Sequence, residues 1–341
     1  MTLSLMRQEI EQIPAVAARL LGEGAPHLEA AGKALRDVDP VMIATIARGS
    51  SDHAALFLKY AFELVAGVPV ASIGPSVASI YGRELSLRQC AAIAVSQSGG
   101  SPDIVKMAQS ARTGGAFVVA LANTPGSPLA ASVDVDIDIM AGEEKSVAAT
   151  KSFVNSVIAG LMLVSAVRGG EALGEVLAGL PAHLKSALAC DWSPLADALT
   201  ERRALYVLGR GPTLAIAEEV ALKLKETCGL HAEAYSAAEV LHGPARIVTD
   251  GFPVLALTGA DEAEASIVAT VDRLAEQGGK VFVTSELSQR GVVLPSARTG
   301  DPLADALALI VPAYSFAEQL ARRLGNDPDR PPHLKKVTET R

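Results

Sequence analysis

Acid–base chemistry needs a carboxylate or imidazole that can be presented to a substrate, and this chain gathers such groups between residues 223 and 242. Lys223-Leu224-Lys225-Glu226 lies in a run of helical periodicity, so Lys223 and Glu226 stand at i and i+3 and face one side. From spacing alone, the commoner outcome for such a pair is a solvated surface salt bridge; turned toward a pocket, it becomes a proton-transfer pair. His242, followed by Gly243-Pro244, falls in a loop that could present the imidazole, and alone it reads equally as a turn residue. Glu233, in His231-Ala232-Glu233-Ala234-Tyr235 after a turn at Gly229, and Glu239 are as suited to capping or ion pairs as to catalysis.

A second kind of chemistry, anion binding, is offered by Ser96-Gln97-Ser98-Gly99-Gly100-Ser101-Pro102. Glycines let the backbone approach a ligand, free amides at the start of a helix point at it, and serine hydroxyls add donors without net charge. A single turn of this kind can equally be a helix cap. Gly49-Ser50-Ser51, at the end of the preceding strand, shifts the balance, because a second hydroxyl-rich turn at a neighbouring strand end can reach the same crevice. No Gly-Lys-Ser/Thr follows either turn, which argues against a nucleotide-hydrolysing loop. Gly209-Arg210-Gly211 is too short for a dinucleotide fingerprint. The corresponding later turn reads Leu257-Thr258-Gly259-Ala260-Asp261-Glu262, whose two carboxylates would repel a phosphate.

The elements that must position these residues alternate between short apolar runs and amphipathic stretches. Strands are expected at Val41–Ala47, Val68–Ile73, Ala91–Ser96, Ala116–Leu121 and Val135–Ile139, with helices at Ser51–Ala66 and Pro102–Thr113. A second round follows, with strands at Ala204–Leu208, Val254–Leu257, Val281–Thr284 and Leu307–Val311 and helices at Thr213–Cys228 and Glu262–Gln277. The pattern predicts parallel sheets with crossover helices, α/β in class, and an internal duplication whose halves have diverged. Ile10, Ile13, Val16, Ala17, Leu20 and Leu21 predict an N-terminal amphipathic helix started or kinked at Pro14. Phe153–Val167 reads as a buried helix, and Arg168–Pro194 as a helical connector.

Composition narrows the class further. With 341 residues, 49% hydrophobic and 4% aromatic, the chain has material for two cores of small residues. A net charge of −8 argues against nucleic-acid binding, which requires many phosphates to be neutralised. Cys90, Cys190 and Cys228 lack metal-ligand spacing and are odd in number, so neither a zinc site nor a disulfide framework is expected. Charged residues interrupt the first 21 positions, which argues against a signal peptide and for a cytoplasmic protein without membrane association.

In order, Arg48-Gly49-Ser50-Ser51, Ser96-Gln97-Ser98-Gly99, Glu144–Lys151, Leu222–Glu226, His231–Tyr235, His242-Gly243-Pro244 and Leu334–Thr338 resemble the sugar-isomerase (SIS) domain family over nearly the whole chain. Within it they are similar to the isomerase half of glucosamine-6-phosphate synthase and to the SIS-type glucosamine-6-phosphate deaminases. The resemblance implies two tandem SIS domains, each a flavodoxin-like sandwich. The segments are 1–30 (N-terminal helix), 31–170 (first domain, phosphate binding), 171–194 (connector), 195–325 (second domain, catalytic residues) and 326–341 (a tail closing the active site). It implies phosphate binding by Ser51, Ser96, Gln97, Ser98 and Ser101, and sugar contacts by Ser50 and Val147. Glu226 matches the base acting between sugar carbons 1 and 2, and Lys223 an active-site lysine beside it. His242 matches the ring-opening residue, supplied across a homodimer interface, and Lys336 the lysine that engages the open-chain sugar.

The implied reaction is isomerising deamination of an amino-sugar 6-phosphate, with no metal or organic cofactor. Its alternatives are a fructosamine-phosphate deglycase or aldose–ketose isomerase of the same family, and a non-catalytic sugar-phosphate sensor. Ala149 stands where the family has a serine, so one sugar-contacting hydroxyl is missing. The chain starts at the N-terminal helix, so glutamine-dependent synthesis is not expected.

Overall fold

The computed structural model describes residues 3–167, 171–200 and 202–336. Arg168, Gly169 and Gly170 of the connector and Val337 and Thr338 of the terminal motif lie outside them. Two compact units are present, and each is built on one parallel five-stranded sheet.

The first unit takes in residues 15–144, 151–179 and 335–336. Its strands are β1 (Met42–Ile46), β2 (Val70–Ser72), β3 (Cys90–Ser96), β4 (Phe117–Ala122) and β5 (Val135–Asp138), in the order β2-β1-β3-β4-β5. β3 is buried along its whole length, as a central strand covered on both faces must be; its small side chains let helices approach closely. Ala92 and Ala94 pack with Ile104, Met107, Ala108 and Ala111 of the helix Pro102–Thr113, forming the core on one side of the sheet. The helix Lys151–Val167 is almost entirely buried; the Nδ2 of its one amide, Asn155, donates to the carbonyls of Val16 (3.1 Å) and Ile139 (2.8 Å), while Oδ1 accepts no hydrogen bond among the described residues.

The other unit takes in residues 3–14, 145–150 and the described part of 180–334. Its strands are β6 (Ala204–Gly209), β7 (His231–Ser236), β8 (Pro253–Ala256), β9 (Lys280–Val283) and β10 (Val292–Val293), in the order β10-β9-β8-β6-β7. Taken from the opposite edge this is the order of the first sheet, with β6 in the place of β1 and β8 in the place of β3. The expected repetition is therefore present in strand order. In each sheet the winding reverses beside its first strand, between β1 and β3 and between β6 and β8, which opens a crevice at the carboxyl ends of those strands.

Three expectations need correcting. Leu307–Val311 is helical, divided between Pro302–Ala308 and Ile310–Arg323. The reason is a cap: the Asp301 carboxylate accepts from the amides of Leu303 and Ala304, and an apolar run buried on all sides is equally compatible with helix or strand until its start is known. The fifth strand is instead the two-residue β10. β7 was not expected as a strand at all, although His231-Ala232-Glu233-Ala234-Tyr235 alternates polar and small residues at period two. At the N-terminus the helix Leu5–Gly22 runs through Pro14, and a second helix, Ala25–Val38, follows it.

Candidate functional site

Two groups of candidate residues are assembled, one in each unit. In the first, the parallel register pairs Ile46 with Ala94, so the turns leaving β1 and β3 emerge side by side. Gly49 and Gly99 adopt left-handed backbone (φ 56° and 60°) that lets each strand turn sharply into a helix. At Gly99 the tight turn also excludes a side chain, because a Cβ would lie 2.2 Å from Ser127 Oγ.

Ser96 Oγ accepts from the Gly99 amide (3.0 Å) and Ser98 Oγ from the Gly100 amide (3.2 Å), which leaves both hydroxyl protons to donate outward. Ser101 is the N-cap of the helix Pro102–Thr113, yet its side chain makes no capping bond. A hydroxyl at that position that caps nothing is suited to a ligand. Asp103, buried in the first turn of this helix, would oppose an anion, but Arg48 holds its Oδ2 at 3.1 Å and offsets the charge. That ion pair also ties the β1 turn to the β3 turn. Ser50 and Ser51 open the helix Ser50–Ala61 beside it, both half-buried. Next to them, burial pushes the Asp52 carboxyl above its ordinary value, against the opposing pull of His53 and Arg48.

In the other unit, the helix Pro212–Cys228 carries Lys223 and Glu226. Lys223 is not a surface residue: its side chain is 1% exposed, and Nζ lies 2.5 Å from Glu226 Oε2 and 3.5 Å from Glu219 Oε1. The solvated surface salt bridge suggested by spacing alone is thus replaced by a buried ammonium between two carboxylates. Glu219 is fully buried, and Tyr314 donates to its Oε1 at 3.0 Å. Glu226 is the member of the set that reaches outward, with its side chain 23% exposed. Such a cluster is costly to bury unless each charge is paired, which gives it a fixed geometry.

His242 ends a short 3-10 turn, Glu239–His242, is exposed, and makes no hydrogen bond or ion pair among the described residues. The following Gly243, at φ 147°, permits the bend into Pro244. Val147 is half-buried, in the 145–150 segment of the same unit, and its amide donates to Asp329 O. Lys336 belongs to the first unit, where Nζ lies 3.0 Å from the buried Glu144 carboxylate, which also accepts from Ser152 Oγ (2.7 Å) and its amide (3.1 Å). The structure therefore joins Lys223 to Glu226, and sets the turn that carries Ser50 and Ser51 beside the one that carries Ser96–Ser101, while Lys336 is paired with Glu144.

Glu219 and Tyr314 escaped sequence reasoning, and Glu144 entered it only as the first residue of the Glu144–Lys151 motif, with no role of its own. For Glu219 a signal existed, since positions 219, 223 and 226 share one helix face. Tyr314 is 95 residues from Glu219 and carries none.

The turn after β8, equivalent to the serine turn, is internally satisfied. The Thr258 amide donates to Thr284 Oγ1 (2.8 Å), the Ala263 amide to Asp261 Oδ1 (2.9 Å), and Arg298 Nη2 to Thr284 O (2.9 Å) and Glu264 Oε1 (3.2 Å). Burial raises the Asp261 carboxyl above its ordinary value.

The chain is thus a repeated parallel α/β protein, with a hydroxyl-lined turn at one switch point and a buried cluster of Glu219, Lys223 and Glu226 in the second repeat. The SIS domain family matches residues 39–166 and 198–287, and the chain belongs to that family. Glutamine–fructose-6-phosphate aminotransferase (isomerizing) of Pyrobaculum aerophilum is 32% identical over 349 residues, covering 98% of this chain and 57% of the relative. The chain spans little more than half the length of the curated relatives it matches. A solved structure from Silicibacter pomeroyi DSS-3, described as a candidate phosphosugar isomerase, is 49% identical with a TM-score of 0.93, covering 96% of this chain and 100% of that one. Glucosamine-6-phosphate deaminase of Thermotoga maritima shares the fold, with a TM-score of 0.78 at 22% identity over 99% of this chain and 100% of that one.

Proposed function

We propose that the chain is a sugar-phosphate isomerase of the deaminating kind, converting an amino-sugar 6-phosphate, foremost glucosamine 6-phosphate, and water to a ketose 6-phosphate and ammonia. The observation that carries this reading is the buried Lys223 ammonium 2.5 Å from Glu226 Oε2. It fixes a carboxylate that still reaches outward and leaves Oε1 as the oxygen to take a proton. In this reading Ser51, Ser96, Gln97, Ser98 and Ser101 hold the phosphate, and Ser50 and Val147 contact the sugar. His242, from a second copy of the chain, opens the ring. Glu226 then removes the proton from carbon 2 and returns it to carbon 1, and the resulting imine at carbon 2 is hydrolysed. Phosphate binding far from the reacting carbons supplies the orientation.

Lys336 engages the open-chain sugar, which requires it to leave Glu144 or to share its charge with it. The allotment of phosphate binding to 31–170, proton transfer to 195–325 and closure to 326–341 belongs to the same proposal, as does a cytoplasmic homodimer. The test is ammonia release by purified protein from glucosamine 6-phosphate and galactosamine 6-phosphate. Release from either supports deamination, and none from both rejects it. Conversion between aldose and ketose phosphates without ammonia would favour the second reading, a plain isomerase, which the 32% identity to a relative named as isomerizing supports.

A further inference from the structure

We propose that Tyr314 is a positioning residue for proton transfer, setting Lys223 against Glu226 through Glu219. The proposal rests on reading Glu226 as the base. Tyr314 lies on the helix Ile310–Arg323 and is fully buried, and its hydroxyl donates to Glu219 Oε1 at 3.0 Å. Glu219 is one helical turn before Lys223, and the same Oε1 lies 3.5 Å from Lys223 Nζ. From Nζ the chain of contacts continues to Glu226 Oε2 at 2.5 Å. The two helices are also joined where Cys228 Sγ donates to Ala317 O (3.4 Å), so the phenol is held in register with the carboxylate.

A lysine ammonium has three donors on a flexible stem, and its position between two carboxylates depends on how strongly each attracts it. The phenolic hydrogen bond takes up part of the electron density of Glu219 Oε1 and moderates its hold on Nζ. The ammonium can then stay close to Glu226 Oε2 and fix the orientation of that carboxylate. Without the hydroxyl, Glu219 Oε1 regains a lone pair inside a buried site and draws Nζ toward itself. Glu226 would then lose its tether while keeping its place on the helix. Turnover should suffer and substrate affinity should not, because neither Tyr314 nor Glu219 belongs to the serine turns.

Tyr314→Phe, which removes one oxygen from the ring, tests this. Steady-state ammonia release from glucosamine 6-phosphate and solvent-deuterium incorporation at carbon 1 of fructose 6-phosphate are measured together. The expected result is a kcat about tenfold lower in both assays, with KM within about twofold of the parent. In a Glu219→Gln background the further substitution Tyr314→Phe should have no additional effect. Unchanged kcat in Tyr314→Phe, or losses that multiply in the double variant, would overturn the proposal. If Tyr314→Phe does not fold, Glu219→Gln alone decides, and an unchanged exchange rate rejects the relay. A parent that exchanges deuterium but releases no ammonia sinks the deaminase reading while the Tyr314 effect is still read on exchange. A parent that does neither removes the base role of Glu226, and the relay falls with it.

Discussion

At the carboxyl edge of the first sheet the turn after β3 is made of hydroxyls and glycines, and its nearest carboxylate, Asp103, is held by Arg48 at 3.1 Å. At the same edge of the second sheet the turn after β8 carries Asp261, and its donors are committed to Thr284 and Asp305. The strand order is shared, and the chemistry is not. The comparison teaches that a switch-point crevice is a place, while the side chains on the turn decide whether an anion can occupy it. In the second repeat the buried cluster of Glu219, Lys223 and Glu226 stands instead on the helix Pro212–Cys228.

The largest expected effect separates the two regions outright. Glu226→Gln should lower kcat by about a thousandfold or more, while equilibrium dialysis finds sugar-phosphate binding unchanged, because the serine turns proposed to hold the phosphate lie in the other repeat. Loss of binding would show that Glu226 holds the fold. Next, the two turn glycines should respond differently to alanine. Gly99→Ala meets left-handed backbone and the Ser127 side chain, so urea unfolding should show a loss of about 2 kcal/mol or more and KM should rise. Gly259→Ala has its nearest neighbour at 3.5 Å, so a loss of less than about 1 kcal/mol is expected. Equal losses would erase the distinction.

A smaller contrast concerns hydroxyls. Ser101→Ala should weaken sugar-phosphate affinity about tenfold with little change in melting temperature, because its hydroxyl caps nothing. Thr258→Val should do the reverse, lowering stability by about 1 kcal/mol with KM unmoved, since its contacts with Thr284 are internal.

The smallest effect is electrostatic. Burial opposes ionisation of Asp272, but hydrogen bonds from Ser288 and the amides of Gln289 and Arg290, together with the Arg290 charge, outweigh it and hold the carboxyl below its ordinary value. A lowered folded-state value means that the stabilisation is complete above the unfolded-state value, near 3.8, and is lost as pH falls through the folded one. Asp272→Asn should therefore cost less than about 1 kcal/mol at neutral pH, because the group is only half-buried and solvent screens it. The gap from the parent should close in acid unfolding curves; a gap that persists at low pH would contradict the assignment.

Much of the first repeat was legible because its signals are local. Ser-Gly-Gly-Ser-Pro marks a strand end, a turn and a helix start within a few residues, and the helix Pro102–Thr113 lies where that signal placed it. The second repeat was less so. Leu307–Val311 was misread because burial on every side removes the polar face that reveals helical period, and β7 was missed because its alternation uses alanines. Arg298 is held by Thr284 and Glu264, partners that no short motif encodes.

By itself the sequence determined the strand–helix alternation, the hydroxyl-rich turns and the helical spacing of Lys223 and Glu226, all of which follow from neighbours a few positions apart. Tertiary structure alone decided that Lys223 is buried, that Glu219 and Tyr314 complete its surroundings, and that Arg48 offsets Asp103. The physical reason is that a charge takes its character from its solvent exposure and its partners, and both are set by segments that meet only when the chain folds.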